Sequence, residues 1–381
     1  MGAGGLRTQA QTQMAGELVR TLSATPFDTS HRLAVGQYPG SRSANYCGGR
    51  RDVYMSLDVV PLGGTGTRVT DLALGTWRFG RERDGDVEID RQRAMALLDA
   101  YAEAGGTFID TADFYGDGRA EFWIGEWLAD RDRESFVIAS KVFWPTREDD
   151  PNARGLGRKH LRRSIDEILD RLGIDYLDVL YVNRWGDHTP VEDDTPLEEY
   201  LRTLTGFVED GRVHYLGTST MVPEAWKVAR ANERARQLGL EPFSVAQPRY
   251  NLVNRAVEHG YLNAASAYDL GVCPWSPLAG GFLSGKYRRG EDPPAGSRAA
   301  IEPEVAGAYL TDENYETLAD VRAVADDLGA TPAQVSLAWL CHRDVVTAPV
   351  VGARTVDQLE ENLGTADLSL SDRQIQRLAD A

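Results

Sequence analysis

Residues 158–182 are RKHLRRSIDEILDRLGIDYLDVLYV, and the two halves of this stretch follow different periods. In Arg158–Leu172, residues Leu161, Ile165, Ile168, Leu169 and Leu172 recur at helical spacing. They form one apolar stripe against a face of Arg, Asp and Glu, as expected of a helix that covers a sheet. Leu177–Val182 is a short apolar run suited to a buried strand. From Ser56 onward the same alternation repeats. Strand-like runs are predicted at 72–75, 107–110, 136–140, 177–182, 213–217, 243–246, 272–275 and 345–350, with helical segments between them. Ahead of these, Asp58–Leu62 and Thr67–Thr70 flank Gly63-Gly64-Thr65-Gly66, a β-hairpin pattern.

Eight strands separated by helices imply parallel pairing through right-handed crossovers, and closure into a (β/α)8 barrel of the TIM type is the common solution at this count. An open doubly wound sheet is the competitor. That arrangement usually carries a GxGxxG loop after its first strand, and here the first strand ends in Gly75-Thr76-Trp77. The barrel is therefore the expected α/β fold, and functional residues should terminate its strands.

The 381 residues would allow two or three domains at about 100–200 residues each, or one barrel. Residues 1–55 are rich in Gly, Ser, Thr, Gln and Arg without sustained periodicity and are expected to be a flexible N-terminal extension. Residues 56–381 would then form the barrel. Against 41 Lys+Arg stand 58 Asp+Glu, a net charge of −17 that disfavours nucleic acid and anionic membrane surfaces as partners. No apolar run is long enough to cross a bilayer, and the first residues lack a secretory signal plan, so a cytoplasmic location is expected. Cys47, Cys273 and Cys341 are far apart and form no metal-binding pattern. Only four residues are Lys, which makes the position of each informative.

The second strand ends in Asp110-Thr111-Ala112-Asp113-Phe114-Tyr115-Gly116, the third in Ser140-Lys141 and the fourth in Val182-Asn183-Arg184. Singly, Asp could cap a helix, Tyr could be core and Lys could be solvated. Together at successive strand tips they suggest acid–base chemistry. A tyrosine, with an ordinary pKa of about 10, needs a nearby cation to act as an acid near neutrality. Lys141, held by Asp110, could supply that charge. His188 lies in an acidic loop past the fourth strand, and His214 lies near the start of the fifth, the end of the barrel away from chemistry.

The motifs GGTFIDTADFYG, ASK, YLDVLYVNRW, LGTST, VAQPRYN, WSPLAGGFLSGKY and VVGARTVDQLEENL, in this order over residues 56–381, resemble the aldo-keto reductase superfamily from end to end. The resemblance implies a barrel closed at its base by the N-terminal hairpin, an extended NADPH bound without a Rossmann loop, and reduction of a small-molecule aldehyde or ketone. It implies Tyr115 as general acid, Lys141 lowering its pKa, and Asp110 orienting Lys141. Asn183 stands where the family commonly has His, a departure shared with the potassium-channel beta subunit branch. LALGTW and Ser297-Arg298-Ala299 also resemble that branch. Asn can donate a hydrogen bond to a carbonyl but cannot titrate. A redox-sensing NADP(H)-binding module with weak turnover is thus an alternative to an enzyme.

For the cofactor, similarity implies Thr76, Trp77 and Asp110 near the reacting ring. Ser219, Thr220 and Gln247 would meet the carboxamide, with Thr220 in place of the usual Asn, and Trp275 would stack on the nicotinamide. Ser276, Pro277, Leu278, Ala279, Gly280, Leu283, Lys286 and Arg298 resemble a strap over the pyrophosphate. Gly352, Arg354, Gln358, Glu361 and Asn362 match the adenosine end, where the Arg354 guanidinium suits a 2′-phosphate and favours NADPH. A homo-oligomer is compatible with the sequence, and substrate choice is expected to lie in the loops 143–157, 186–195 and 288–311.

Overall fold

The computed structural model describes residues 57–83, 85–147, 149–183, 195–219 and 225–380, all within the compact unit Val53–Ala381. The extension expected over residues 1–55, together with Thr220, His188 and most of the 186–195 loop, lies outside the described residues.

The described residues open with β1 (Val59–Pro61) paired antiparallel to β2 (Arg68–Thr70), with Val60 opposite Val69. The main sheet follows. Its strands are β3 (Ala73–Gly75), β6 (Phe108–Asp110), β7 (Val137–Val142), β8 (Leu177–Val182), β9 (Val213–Ser219), β10 (Phe243–Gln247), β11 (Gly271–Val272) and β12 (Val350–Val351). A two-strand ribbon, β4 (Glu82–Arg83) and β5 (Asp86–Val87), sits in the first crossover. The eight strands are parallel in the order β11-β10-β9-β8-β7-β6-β3-β12. Thr347 N donates to Val272 O at 2.7 Å and Val350 N to Pro274 O at 2.8 Å, so backbone bonds link the two ends of the curled sheet. The intervening helices include α1 (Arg91–Glu103), α2 (Arg119–Leu128), α3 (Arg158–Leu172), α4 (Leu197–Glu209), α5 (Ala225–Leu238) and α6 (Tyr261–Ala267). No helix among the described residues is long and apolar enough to cross a membrane.

Helix α3 has the expected bounds, and Leu161, Ile165, Ile168 and Leu172 of its stripe are buried, with Leu169 half-buried. Gly173 ends it at φ 62°, a left-handed cap that glycine adopts without a Cβ penalty. The seventh and eighth strands are shorter than the sequence predicted, because Pro274 and Pro349 lack the N–H that a ladder needs. The 288–311 insertion, expected as a loop, contains α7 (Arg298–Ile301) and α8 (Pro303–Tyr309).

The inside of the curled sheet is an apolar cluster that includes Ala73, Phe108, Val137, Ala139, Val179, Tyr181, Val245 and Cys273, with Leu62 and Val69 joining from the segment around β1 and β2. Side chains alternate along a strand, so the next inward positions are fixed by parity. They are Asp110 after Phe108, Lys141 after Ala139, Asn183 after Tyr181, Gln247 after Val245 and Trp275 after Cys273. The apolar layer is the floor on which the polar residues of the strand ends stand.

Candidate active site

Those residues meet in a cavity of about 660 Å³ at the C-terminal ends of the strands. Lys141 Nζ donates to Asp110 Oδ1 at 2.5 Å and to the Thr111 carbonyl at 2.7 Å, with both charged side chains almost fully buried. Asp110 Oδ2 accepts from Gln247 Nε2 at 2.7 Å. The Asp110 carbonyl accepts from Thr76 N and Thr76 Oγ1, each at 3.0 Å. The Ser219 hydroxyl has two acceptors for its one proton, the Gln247 carbonyl at 3.2 Å and Gln247 Oε1 at 3.3 Å. Lys141 Nζ also lies 4.8 Å from the centre of the Tyr115 ring.

Burial alone would pull the Lys141 ammonium down, but Asp110 and Tyr115 outweigh it and hold the pKa above its ordinary value, so Lys141 remains a cation. For Tyr115, burial is the largest influence and raises the phenol, while Lys141 opposes it. Lys141 acts on Tyr115 in the expected, downward direction, but desolvation of the phenolate outweighs the ammonium, and the net direction is upward. Asp113, in the same loop, is buried and its carboxyl is raised well above the ordinary range by desolvation and then by Glu121.

Tyr115 sits in a short 3₁₀ turn, Tyr115–Gly118, where Gly116 has φ 56° and packs directly on the Phe79 carbonyl. Its ring is boxed by other aromatics. Trp77 and Phe114 each approach edge-on at 4.9 Å, and Trp144 lies 6.1 Å from Phe114.

Another part of the wall carries cations. Arg78, Lys286, Arg298 and Arg354 all line the cavity. Burial, then Arg354 and Arg78, push the Lys286 ammonium down, and among the described residues it has no carboxylate partner. Arg78 is likewise lowered, by burial first, despite its 2.9 Å ion pair with Glu88. Glu302 accepts from Arg83 at 2.9 Å, Arg81 at 3.2 Å and Arg298 at 2.8 Å, tying the β4–β5 ribbon to the start of α8. Gly280 and Gly281 adopt φ 66° and 89°, and a Cβ on Gly281 would lie 2.8 Å from Lys286 Nζ, so glycine leaves the ammonium room. Arg354 Nη1 donates to the Gly296 carbonyl at 2.7 Å.

Of the residues singled out from sequence, Trp77, Asp110, Tyr115, Lys141, Asn183, Ser219, Gln247 and Trp275 line this cavity. So do Ser276, Pro277, Leu278, Gly280, Lys286 and Arg298, and from the chain's end Gly352, Arg354, Gln358, Glu361 and Asn362. Thr76, Ala279 and Leu283 do not. They are fully buried behind the wall, Thr76 bonding the Asp110 carbonyl and the other two packing in the core. Arg78, Phe114 and Trp144 are wall residues that the sequence reading passed over. Each neighbours a recognised strand end, which is the signal that was available.

With this geometry in place, comparison with known proteins is specific. Residues 71–381 match the aldo/keto reductase family, and the chain belongs to it, which places it among oxidoreductases. A probable voltage-gated potassium channel subunit beta of Oryza sativa subsp. japonica is 36% identical over 317 residues, covering 81% of this chain and 90% of the relative. Norsolorinic acid reductase stcV of Emericella nidulans is 35% identical, with 83% and 79% coverage. The uncharacterized oxidoreductase YrpG of Bacillus subtilis is 33% identical, with 84% and 94% coverage.

Proposed function

We propose that this chain is an NADPH-dependent reductase that converts an aldehyde or ketone to an alcohol. The observation that carries the reading is the buried Asp110–Lys141–Tyr115 group sharing one cavity with the Arg78, Lys286, Arg298 and Arg354 cations. The residues present fit the cofactor: an amide and hydroxyl pair at Gln247 and Ser219, a ring at Trp275, left-handed glycines beside Lys286, and cations that repel one another until an anion arrives. When bound, the reduced nicotinamide supplies a hydride to the carbonyl carbon. Tyr115 then gives its proton to the carbonyl oxygen. Burial keeps the phenol protonated beforehand, and Lys141 eases its release. The Asn183 amide donates a hydrogen bond to the same oxygen and polarises the carbonyl. Arg354 is assigned to the 2′-phosphate, since a guanidinium binds phosphate in a bidentate manner. In this reading the sheet is a closed (β/α)8 barrel with the β1–β2 hairpin across its base. The two cross-bonds of the sheet ends support it, as do Leu62 and Val69 in the interior cluster.

Calorimetric titration with NADPH and NADH tests the cofactor: NADPH should bind at least tenfold tighter, and Arg354→Ala should abolish the preference. Tyr115→Phe should remove carbonyl-dependent NADPH oxidation while leaving NADPH binding intact. Retained turnover would place the proton donor elsewhere.

The alternative, an NADP(H)-sensing module with weak turnover, is favoured by the likeness to relatives named as channel beta subunits and by Asn183. A large gain in turnover on Asn183→His would support that alternative. A loss would mark Asn183 as the working residue.

A further inference from the structure

We propose that Gln247 is a positioning residue for the proton donor: its amide holds the second oxygen of Asp110 and thereby sets the field that Asp110 and Lys141 exert on Tyr115. This rests on the reading of Tyr115 as general acid and goes beyond the assignment of Gln247 to the cofactor.

Asp110 is an acceptor on both oxygens, with Lys141 Nζ on Oδ1 at 2.5 Å and Gln247 Nε2 on Oδ2 at 2.7 Å. Because a carboxylate only accepts, the NH₂ end of Gln247 must face Asp110, and its Oε1 takes the Ser219 hydroxyl at 3.3 Å. The amide is therefore oriented by Asp110, and Ser219 shares its one proton between Gln247 Oε1 and the Gln247 carbonyl at 3.2 Å. Gln247, Asp110 and Lys141 are each 2% exposed, so water does not compete for these bonds. In so dry a setting each hydrogen bond polarises the next, and the N–H dipole of Gln247 offsets part of the Asp110 charge. That charge opposes ionisation of Tyr115, so what touches Oδ2 is felt at the phenol. Among the described residues, Lys141 from β7, Asp110 from β6 and Asp113 from the Tyr115 loop are the charged groups that act most on Tyr115. Tyr181 and Cys273 face Asp110 from the sheet interior, and Glu121 of α2 lies beside Asp113.

The test uses the full chain without cofactor, with 3,5-difluorotyrosine placed at position 115 so that the phenol ionises within reach of native conditions. Its midpoint is read by fluorine NMR. Gln247→Glu places a second carboxylate beside Asp110 and should raise the midpoint by about one pH unit. Gln247→Met keeps the volume but removes the donor, and should raise it by a smaller amount. Midpoints in both variants within experimental error of the parent would overturn the proposal and leave Gln247 a lining residue only. If one variant does not fold, the shift in the other decides. The readout needs no cofactor, so failure of NADPH binding would strike the proposed function and leave this result standing.

Discussion

Lys141 is a charge taken almost wholly out of water, and it stays there because Asp110 accompanies it. Breaking one half of such a pair leaves the other stranded. Lys141→Met should lower unfolding free energy by about 3–5 kcal/mol in urea titration, and adding Asp110→Asn should recover part of the loss. Turnover in the single variant should fall about 10²–10⁴-fold, the usual contribution of assisted proton transfer. The pH profile of reduction follows from the same residues. A phenol raised by burial stays protonated through neutrality, and Asn183 has no proton to titrate, so kcat should be flat from about pH 6 to 9 and fall only on the alkaline side. An inflection near neutrality would point to another titrating group. Stability has its own acid window through His160, a buried residue of α3 whose imidazole is held down to about 4, chiefly by desolvation and then by Arg163. Between its ordinary 6.5 and that value the unfolded chain binds the proton and the folded one does not, so stability is lost as pH falls. Asp71, raised to about 6 by burial and then Asp58, has the opposite slope and partly masks the effect. Relative to the parent, His160→Gln should therefore lose less stability on acidification from pH 7 to 4, by up to about 3 kcal/mol.

Individual side chains reach the site because short elements hold them there. The turn carrying Tyr115 depends on Gly116, where an added methyl group would collide with the Phe79 carbonyl in a left-handed conformation. Gly116→Ala should displace the phenol and reduce turnover about tenfold or more while NADPH affinity changes little. In β9, a Cβ at Gly217 would enter the Tyr181 ring. Gly217→Ala should destabilise by about 1–3 kcal/mol, visible as a lower urea midpoint. Much of this scaffold was legible. Helix α3 and strand β8 have the bounds their periodicity implied, and Asp110, Lys141 and Asn183 stand where strand-end parity puts them. What the sequence left hidden is tertiary. The shortening at Pro274 and Pro349 was available from the missing proline N–H, whereas the raised Tyr115 reflects how much surrounds it. Trp144 becomes a wall only because its loop folds back beside Phe114.

At the scale of the molecule, a chain of net charge −17 gathers four cations on one wall of one cavity. Under the proposed function, an anionic dinucleotide would cross a repulsive outer field to reach an attractive inner one. Added salt screens both, but the half-buried Arg78 and Arg298 less than the exposed Lys286, Arg354 and outer charges. Raising KCl from about 0.05 to 0.5 M should weaken NADPH binding only several-fold, with the change in the dissociation rate exceeding that in the association rate. Stopped-flow binding would separate the two.

Three of the eight tryptophans, Trp77, Trp144 and Trp275, line that cavity. Indole emission overlaps the absorption band of a reduced nicotinamide, so the protein carries its own optical donors at distinct points of the wall. Replacing each in turn by Phe would make the chain a ruler: the donor whose loss most reduces energy transfer is the one nearest the bound ring.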